Sequence, residues 1–446
     1  MADQTLSIWQ PFLFEMQGVT QELFPSEAVT LAELSGFDAS LRGGAGGVDR
    51  LAPVQRITKE MDGNREIFTG KQVRHPVILA GLTGGGYPLE TDTWNVPHAL
   101  QDEDIIINLV RTLVPFSLTV DVERDSMDHS AATAVATMVQ QTRSALARLE
   151  NLGILGDGTG KVADITGGTT GTLVIQVGVA GNMDVLLPGT VWDIATKSTA
   201  AITTNGRKRK ILSVQNEGQA TATVTFDTNA VASDADSGVI TFSTNEGLFI
   251  PGSGTTAALA GTKVAQGIEQ AAAITGTFET IDKAAFPQWQ GTDGRIGDTS
   301  TAPLSSTMLG AGVRRGRRSG IGKWDFGIGD PASIDIYKDS LQSLVRYGED
   351  TVVLKSGFQG IVYDGADAPC PLVKEPHHKK AGLKLIDKKS FQLYGDRQGP
   401  AFLEDDGAMF RRFNRTMAKE ADMLDRWQLG VLKCGTLVSY NNLAVS

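Results

Sequence analysis

Apolar residues recur at helical spacing between Ser126 and Leu152. Met127, Ala131, Ala134, Val135, Met138, Val139, Ala145, Leu146, Leu149 and Leu152 fall on one arc. Thr133, Ser130, Thr137, Gln140, Gln141, Ser144, Arg148 and Asn151 fill the opposite side. Asp125 or Ser126 can cap the first amides, and Asp128 places negative charge where the helix dipole favours it. Gly153 is placed to supply a left-handed stop. At 1.5 Å per residue the helix runs about 40 Å. One dry stripe with a hydroxyl- and amide-rich back predicts a beam lying on a sheet, not a rod buried on every side.

Ahead of the helix the period changes to two. Val114, Phe116, Leu118 and Val120 alternate with Pro115, Ser117, Thr119 and Asp121, which reads as a strand. Residues 51–122 then form a long two-stranded excursion, with limbs at about Glu66–Leu79 and Asp104–Val120. Its tip, "AGLTGGGYPLETDTWNVPHAL", is rich in glycine and proline. About twenty residues without structure between paired strands suit a segment that grips a neighbour, or else a plain loop. Residues 1–42 mix short apolar clusters (Trp9, Phe12, Leu13, Phe14) with acids, and "RGGAGG" follows as a hinge, so the start reads as an extended arm.

Beyond the helix, "GILGDGTGKVADITGG" places Gly156, Gly158 and Gly160 before Lys161. A phosphate loop needs glycine where Leu155 stands and a hydroxyl where Val162 stands, so a turn-rich linker is the reading. Over residues 172–248, short runs rich in valine, threonine and isoleucine recur between turn signals and predict a small all-β module. Its basic run, Arg207, Lys208, Arg209 and Lys210, reads as a charged hairpin tip. Helices are predicted at about Lys263–Ile274 and, starting on a proline, at 331–347. "GVRRGRRSGIGKW" reads as a mobile arginine loop at a subunit interface, with phosphate contact as the alternative. "DTVVLKSGFQGIVYDG", "AGLKLIDKKSFQLYG" and "RWQLGVLKCGTLVSYNNLAV" read as strands. The class is α+β.

Composition narrows the functions. The net charge is −10, which argues against a dedicated nucleic-acid binder. Two cysteines, Cys370 and Cys434, exclude a disulfide framework and a zinc spacing. The opening "MADQTLSIWQ" has no export-signal pattern, and no apolar run approaches the roughly 18 residues of a membrane span. The five histidines, His75, His98, His129, His377 and His378, stand in no metal pattern. His377 and His378, with Lys379 and Lys380 beside them, read as solvated surface. No nucleophile elbow is present. No catalytic, cofactor-binding or metal residue is assigned, and the expectation is a protein that is not an enzyme and needs no cofactor.

The order of parts resembles the major capsid proteins of tailed bacteriophages, the Hong Kong 97 fold. The likeness is carried by "RDSMDHSAATAVATMVQQTRSALARLENLGILGDGTG", "GTFETIDKAAFPQWQG", "LKSGFQGIVYDGADAPCP", "AGLKLIDKKSFQLYG" and "DMLDRWQLGVLKCGTLVSYNNLAV". The resemblance implies an N-terminal arm at 1–50, an E-loop with flanking strands at 51–122, and a spine helix of the peripheral domain at 123–171. It implies an inserted β domain at 172–262, an axial domain at 263–399, and a return to the peripheral domain at 400–446. It further implies hexamers and pentamers closing an icosahedral virion shell around double-stranded DNA, contacted non-specifically at most. Portal, scaffold and decoration proteins would be partners, no membrane would be involved, and assembly would occur in the host bacterial cytoplasm. Lys71 lies in the excursion, where some relatives cross-link lysine to asparagine, but it reads as solvated. An encapsulin-like compartment shell is the rival of the same fold. A β-rich enzyme with an appended binding domain, or a tail or adhesin protein, would be a different class.

Overall fold

The computed structural model describes residues 57–58, 68–69, 72–80, 101–119, 131–168, 174–178, 185–215, 221–229, 236–238, 243–253, 264–295, 298, 300–319, 323–342, 351–353, 359–363, 369–396, 400–403, 411–412 and 418–444. The expected arm, the excursion tip, the helix start before Ala131, His98, His129 and Lys71 lie outside them. In chain order come β1 (Ile57–Thr58), β2 (Phe68–Thr69), β3 (Gln72–Ala80), β4 (Gln101–Asn108) and β5 (Val110–Thr119), then helix α1 (Ala131–Leu155). Next are β6 (Lys161–Gly168), β7 (Val174–Gly178), β8 (Val191–Thr196), β9 (Arg209–Gln215), β10 (Thr221–Phe226) and β11 (Glu246–Phe249). Then follow α2 (Ile268–Ala272), β12 (Thr277–Phe278), β13 (Ile281–Asp282), β14 (Thr292–Asp293), α3 (Ser306–Ser319), β15 (Phe326–Gly329) and α4 (Pro331–Gln342). The last strands are β16 (Thr351–Val353), β17 (Gln359–Tyr363), β18 (Cys370–Lys374), β19 (Leu383–Ile386), β20 (Phe391–Gly395), β21 (Ala401–Phe402), β22 (Arg411–Arg412), β23 (Ala418–Val431) and β24 (Val438–Tyr440).

The first sheet is built on β23. One edge of this strand pairs in turn with β20, β21 and β22, and the other pairs with β5 along ten residues. The period-two pattern of β5 sets its faces. Val114 and Phe116 turn towards α1, where Val139 and Leu146 meet Met423 and Phe402. Arg111, Leu113, Pro115 and Ser117 are exposed on the opposite face. The expected return limb therefore divides at Leu109. Only β4 pairs with β3 as a hairpin, whereas β5 leaves it and joins β23.

Helix α1 is the beam on this sheet only in its first part. Its last two turns are buried all round: Ala147 and Ile154 lie in the central core with Trp427, and Leu152 lies in a separate core. Asn151, expected on the wet face, is fully buried. Gly153 is not the stop, because the helix continues to Leu155. A Cβ there would sit 3.1 Å from the Trp427 ring and 3.3 Å from Ala265, so this glycine is a packing notch inside the helix. The positive φ values that turn the chain belong to Gly158 and Gly160.

Six strands then close a barrel in the order β10, β7, β6, β11, β8, β9. The barrel begins at Lys161, so part of the expected linker is a strand and the expected boundary at Thr172 moves forward. Ile165, Trp192, Ile194, Ile211, Val224, Phe226 and Leu248 fill it. The run 207–210 is not a solvated tip. The Arg209 guanidinium is buried and donates to the carbonyls of Asp236 at 2.6 Å and Gly238 at 2.8 Å. The Lys208 amide donates to Asp193 Oδ1 at 2.7 Å.

The second large sheet runs β14, β24, β19, β15, β18, β17, β16, with α3 and α4 beside it. Helix α4 begins on Pro331 as expected and buries Ile334 and Tyr337. The predicted helix near 263–274 is shorter, only Ile268–Ala272. The arginine loop proves to be helix α3. Its glycines are spaced for contact: a Cβ on Gly312 would fall 2.1 Å from the Tyr440 hydroxyl, and one on Gly316 2.5 Å from the Trp324 ring. The boundary at 399 does not separate sheets either. Consecutive β19 and β20 enter different sheets, as do β23 and β24. The two crossings touch, with Leu432 N–H donating to Ser390 O at 2.8 Å and Thr436 Oγ1 lying 3.2 Å from Ser390 Oγ.

Candidate assembly surfaces

No catalytic constellation was expected, so the surfaces and the joints that hold them are the places to look for function. The β3–β4 hairpin presents two unlike faces. Val73, Ile105 and Ile107 are buried in the central core. On the other face cross-strand partners bring Pro76 beside Asp104 and Ile78 beside Asp102. Ile78 is 64% exposed, and Asp102, Glu103 and Asp104 are all exposed.

A second surface borders β5. A cleft of about 550 Å³ lies between residues 108–113, residues 250–253 at the barrel exit, and Leu149 and Gly153 of α1. Sequence reasoning placed the strand but missed that, among the described residues, it lies at the edge of its sheet. Pro115 in mid-strand carried that signal, because a proline lacks the N–H that a central strand must donate.

A buried polar joint ties α1 and α2 to the turn between β18 and β19 and to β24. His377 and His378, expected in solvent, are both buried. They sit in the turn between β18 and β19, packed against α1 and α2. His377 Nδ1 is 2.8 Å from Asn151 Nδ2, which also donates to Glu375 Oε1 at 3.2 Å. Beside them Lys384 Nζ is 2.7 Å from Glu269 Oε2, and it donates to Ser439 Oγ and, at 3.2 Å, to Asn441 Oδ1. Lys379 Nζ stands 3.7 Å from Glu269 Oε1. Burial alone would raise the Glu269 pKa, but the Lys384 and Lys379 ammonium groups outweigh it and hold the carboxyl at about 2. Burial, with Lys384 nearby, pushes His378 down to about 4, so its ring is neutral near pH 7. The stretch 276–291 adds a further tie. Lys283 is fully buried and donates to the carbonyls of Gln270, Ala271 and Ala273 at 2.7, 2.8 and 2.7 Å, closing the end of α2.

The remaining candidates do not converge. Cys370 and Cys434 are buried, and burial pushes the first thiol up to about 12 and the second well above its ordinary value, which leaves no thiolate for chemistry. Among the described residues no group of three His, Cys, Asp or Glu could hold a metal ion, and no helix is long and apolar enough to cross a membrane. Arg314 and Arg317 are exposed on α3, and Arg315 is turned inward, donating to Gly294 O at 2.6 Å.

No family model and no curated protein matches the sequence. Among solved structures, the chain is similar to the capsid asymmetric unit of cyanophage A-1(L), over 84% of this chain and 88% of that one, at 11% identity and a TM-score of 0.49. It is similar to the capsid of the empty GTA particle over 87% and 94%, at 10% identity and a TM-score of 0.41. It is likewise similar to the SrpI encapsulin of Synechococcus elongatus PCC 7942 over 85% and 84%, at 8% identity and a TM-score of 0.40.

Proposed function

We propose that the chain is a Hong Kong 97-type major capsid protein, a structural subunit that self-assembles as hexamers and pentamers into an icosahedral shell around double-stranded DNA. The observation that supports it best is one continuous arrangement: a long helix lies across the β5–β23 ribbon, and the hairpin springs from the same β5. In this reading β3–β4 is the root of the E-loop. Helix α1 with the β23 sheet is the peripheral domain, and the seven-stranded sheet with α3 and α4 is the axial domain. The barrel is an inserted module. A closed shell needs a large repeated contact area per subunit, made by projecting segments as well as domain faces. The bared Ile78 and the cleft beside β5 are such features. The net charge of −10 keeps packaged DNA from adhering to the wall, since phosphate binding needs basic groups and counterion release. Portal, scaffold and decoration proteins are the partners this role calls for, and the virion is its place. The test is electron microscopy of the purified chain. Uniform closed shells are expected, and a stable monomer across concentration, salt and pH would overturn the reading. Shells isolated from expressing cells with protein cargo and no DNA would redirect it to a compartment of the encapsulin kind.

A further inference from the structure

The turn between β12 and β13 is unfavourable twice over at its tip. Phe278 pairs with Ile281, so Glu279 and Thr280 form the loop, and both are left-handed, with φ of 48° and 74°. A hairpin loop of this kind favours asparagine and glycine, and a β-branched threonine is poorly suited to it. Glu279 adds a second cost. The residue is 1% exposed, and burial pushes its carboxyl well above the ordinary pKa, although the Val431 amide and the Lys283 ammonium pull the other way. Among the described residues its Oε2 makes no hydrogen bond. Backbone strain persists only where the surroundings over-determine it, and it collects in segments that switch.

Two clamps hold this tip from opposite sides. Thr280 Oγ1 accepts the Ile106 N–H of β4 at 3.4 Å and donates to Glu279 O at 2.5 Å. Glu279 Oε1 accepts the Val431 N–H of β23 at 2.9 Å. Leu432 N–H donates to Ser390 O, so the neighbouring Val431 N–H points away from β20, to the edge that β5 leaves at Trp427. The carboxyl stands there in place of a strand. Leu432 and Ser390 are also where the two crossings between the sheets touch. The base of the turn is fixed, with Phe278 and Ile281 buried in the central core.

We infer that the turn at Glu279 and Thr280 is a strained coupling element, which ties the position of the β3–β4 hairpin to the end of β23 where the chain crosses between the sheets. While both clamps hold, the tip keeps its left-handed form. When the Ile106 clamp lets go, the tip relaxes and its carboxyl leaves Val431, which loosens the crossing at Leu432 and Ser390. The coupling runs equally in the other direction, as any coupling of two equilibria must. It stands whether or not the chain forms shells.

The experiment is amide hydrogen exchange of the full-length dispersed subunit, read at residues 104–107 and 429–432. Ile105→Val loosens the hairpin beside the Ile106 amide while removing a single methylene. It should quicken exchange at 429–432 about fivefold or more. Thr280→Asn accepts the left-handed backbone and keeps an oxygen in the side chain. It should raise the melting temperature, and in its background Ile105→Val should leave 429–432 as they were, because an unstrained turn has nothing to release. Equal quickening in both backgrounds would mean that the core transmits the change and would overturn the inference, as would a lowered melting temperature in Thr280→Asn. The reverse direction is read separately. Glu279→Ala should quicken 104–107, whereas Glu279→Gln, which keeps an acceptor for Val431, should not. Unchanged exchange at 104–107 in Glu279→Ala would refute the coupling.

Discussion

At the scale of single residues, the turn carrying His377 and His378 decides more than its composition suggests. Two histidines and two lysines in a row look like solvated surface, but His377 meets Asn151 of α1, Lys379 faces Glu269 of α2, and His378 Nδ1 lies 2.8 Å from the Lys379 carbonyl. Burial then works against charge on His378. Its pKa falls from 6.5 to about 4, so the unfolded chain binds the proton more readily than the folded one. The stability that comes from keeping this ring neutral is present above pH 6.5 and is lost as pH falls towards 4. That loss amounts to about 3 kcal/mol. Urea unfolding of the dispersed subunit at several pH values should show this slope, and His378→Gln should flatten it. An unchanged slope in the variant would place the acid sensitivity elsewhere. Glu269 acts lower, where its contribution disappears between pH 4.5 and about 2.

At the scale of elements, α1 and α3 show how a helix is fitted to what crosses it. Leu146 is fully buried between α1 and the β23 sheet, and Gln141 on the same helix is exposed. Leu146→Ala should lower unfolding free energy by about 2–5 kcal/mol, whereas Gln141→Ala should stay within about 0.5 kcal/mol. Equal effects in thermal melts would mean the helix lies on another face. In α3 the glycines admit Tyr440 and Trp324. Alanine normally favours a helix over glycine by about 1 kcal/mol. Gly312→Ala should nevertheless destabilise by about 1–3 kcal/mol, because its Cβ falls on the Tyr440 oxygen and evicts a hydroxyl bonded to Leu309 O at 2.9 Å. A raised melting temperature would contradict this packing. The single glycine of α1 and the glycines of α3 thus serve close approach, where local spelling alone suggests a stop in one and a loop in the other.

At the scale of the whole molecule, the barrel is attached at adjacent points. Ile250 N–H donates to Gly160 O at 2.9 Å, and Leu152 is the α1 side chain that enters the barrel core. Replacing residues 161–249 by a short glycine linker, with Leu152→Gln to cover the uncovered contact, should leave α1 and both sheets folded. Circular dichroism should retain the helical signal with a cooperative melt. A chain that melts without cooperativity would show that the barrel supports the rest of the fold. The joint at Asn151, Glu375 and His377 binds α1 directly to the seven-stranded sheet, so the two remaining parts do not depend on the barrel for their contact.

By itself the sequence determined the α+β class, the long helix, the strand alternation of β5, the proline-started α4 and a β-rich module, because each follows from a local period or a local φ restriction. The resemblance it carries to capsid proteins rests on the order of those parts. Only the tertiary structure decided that Gly153 meets Trp427, that Asn151 and His378 are buried, that β6 belongs to the barrel, and that β19 and β20 part into different sheets. The reason is physical. Periodicity reports which side of an element is dry only when all its neighbours are apolar. A polar side chain matched by distant polar partners, or a glycine matched by a distant ring, carries its explanation in the other strand. The cleft beside β5 is of the same kind: it is made by β5, α1 and residues 250–253, which lie far apart in the chain.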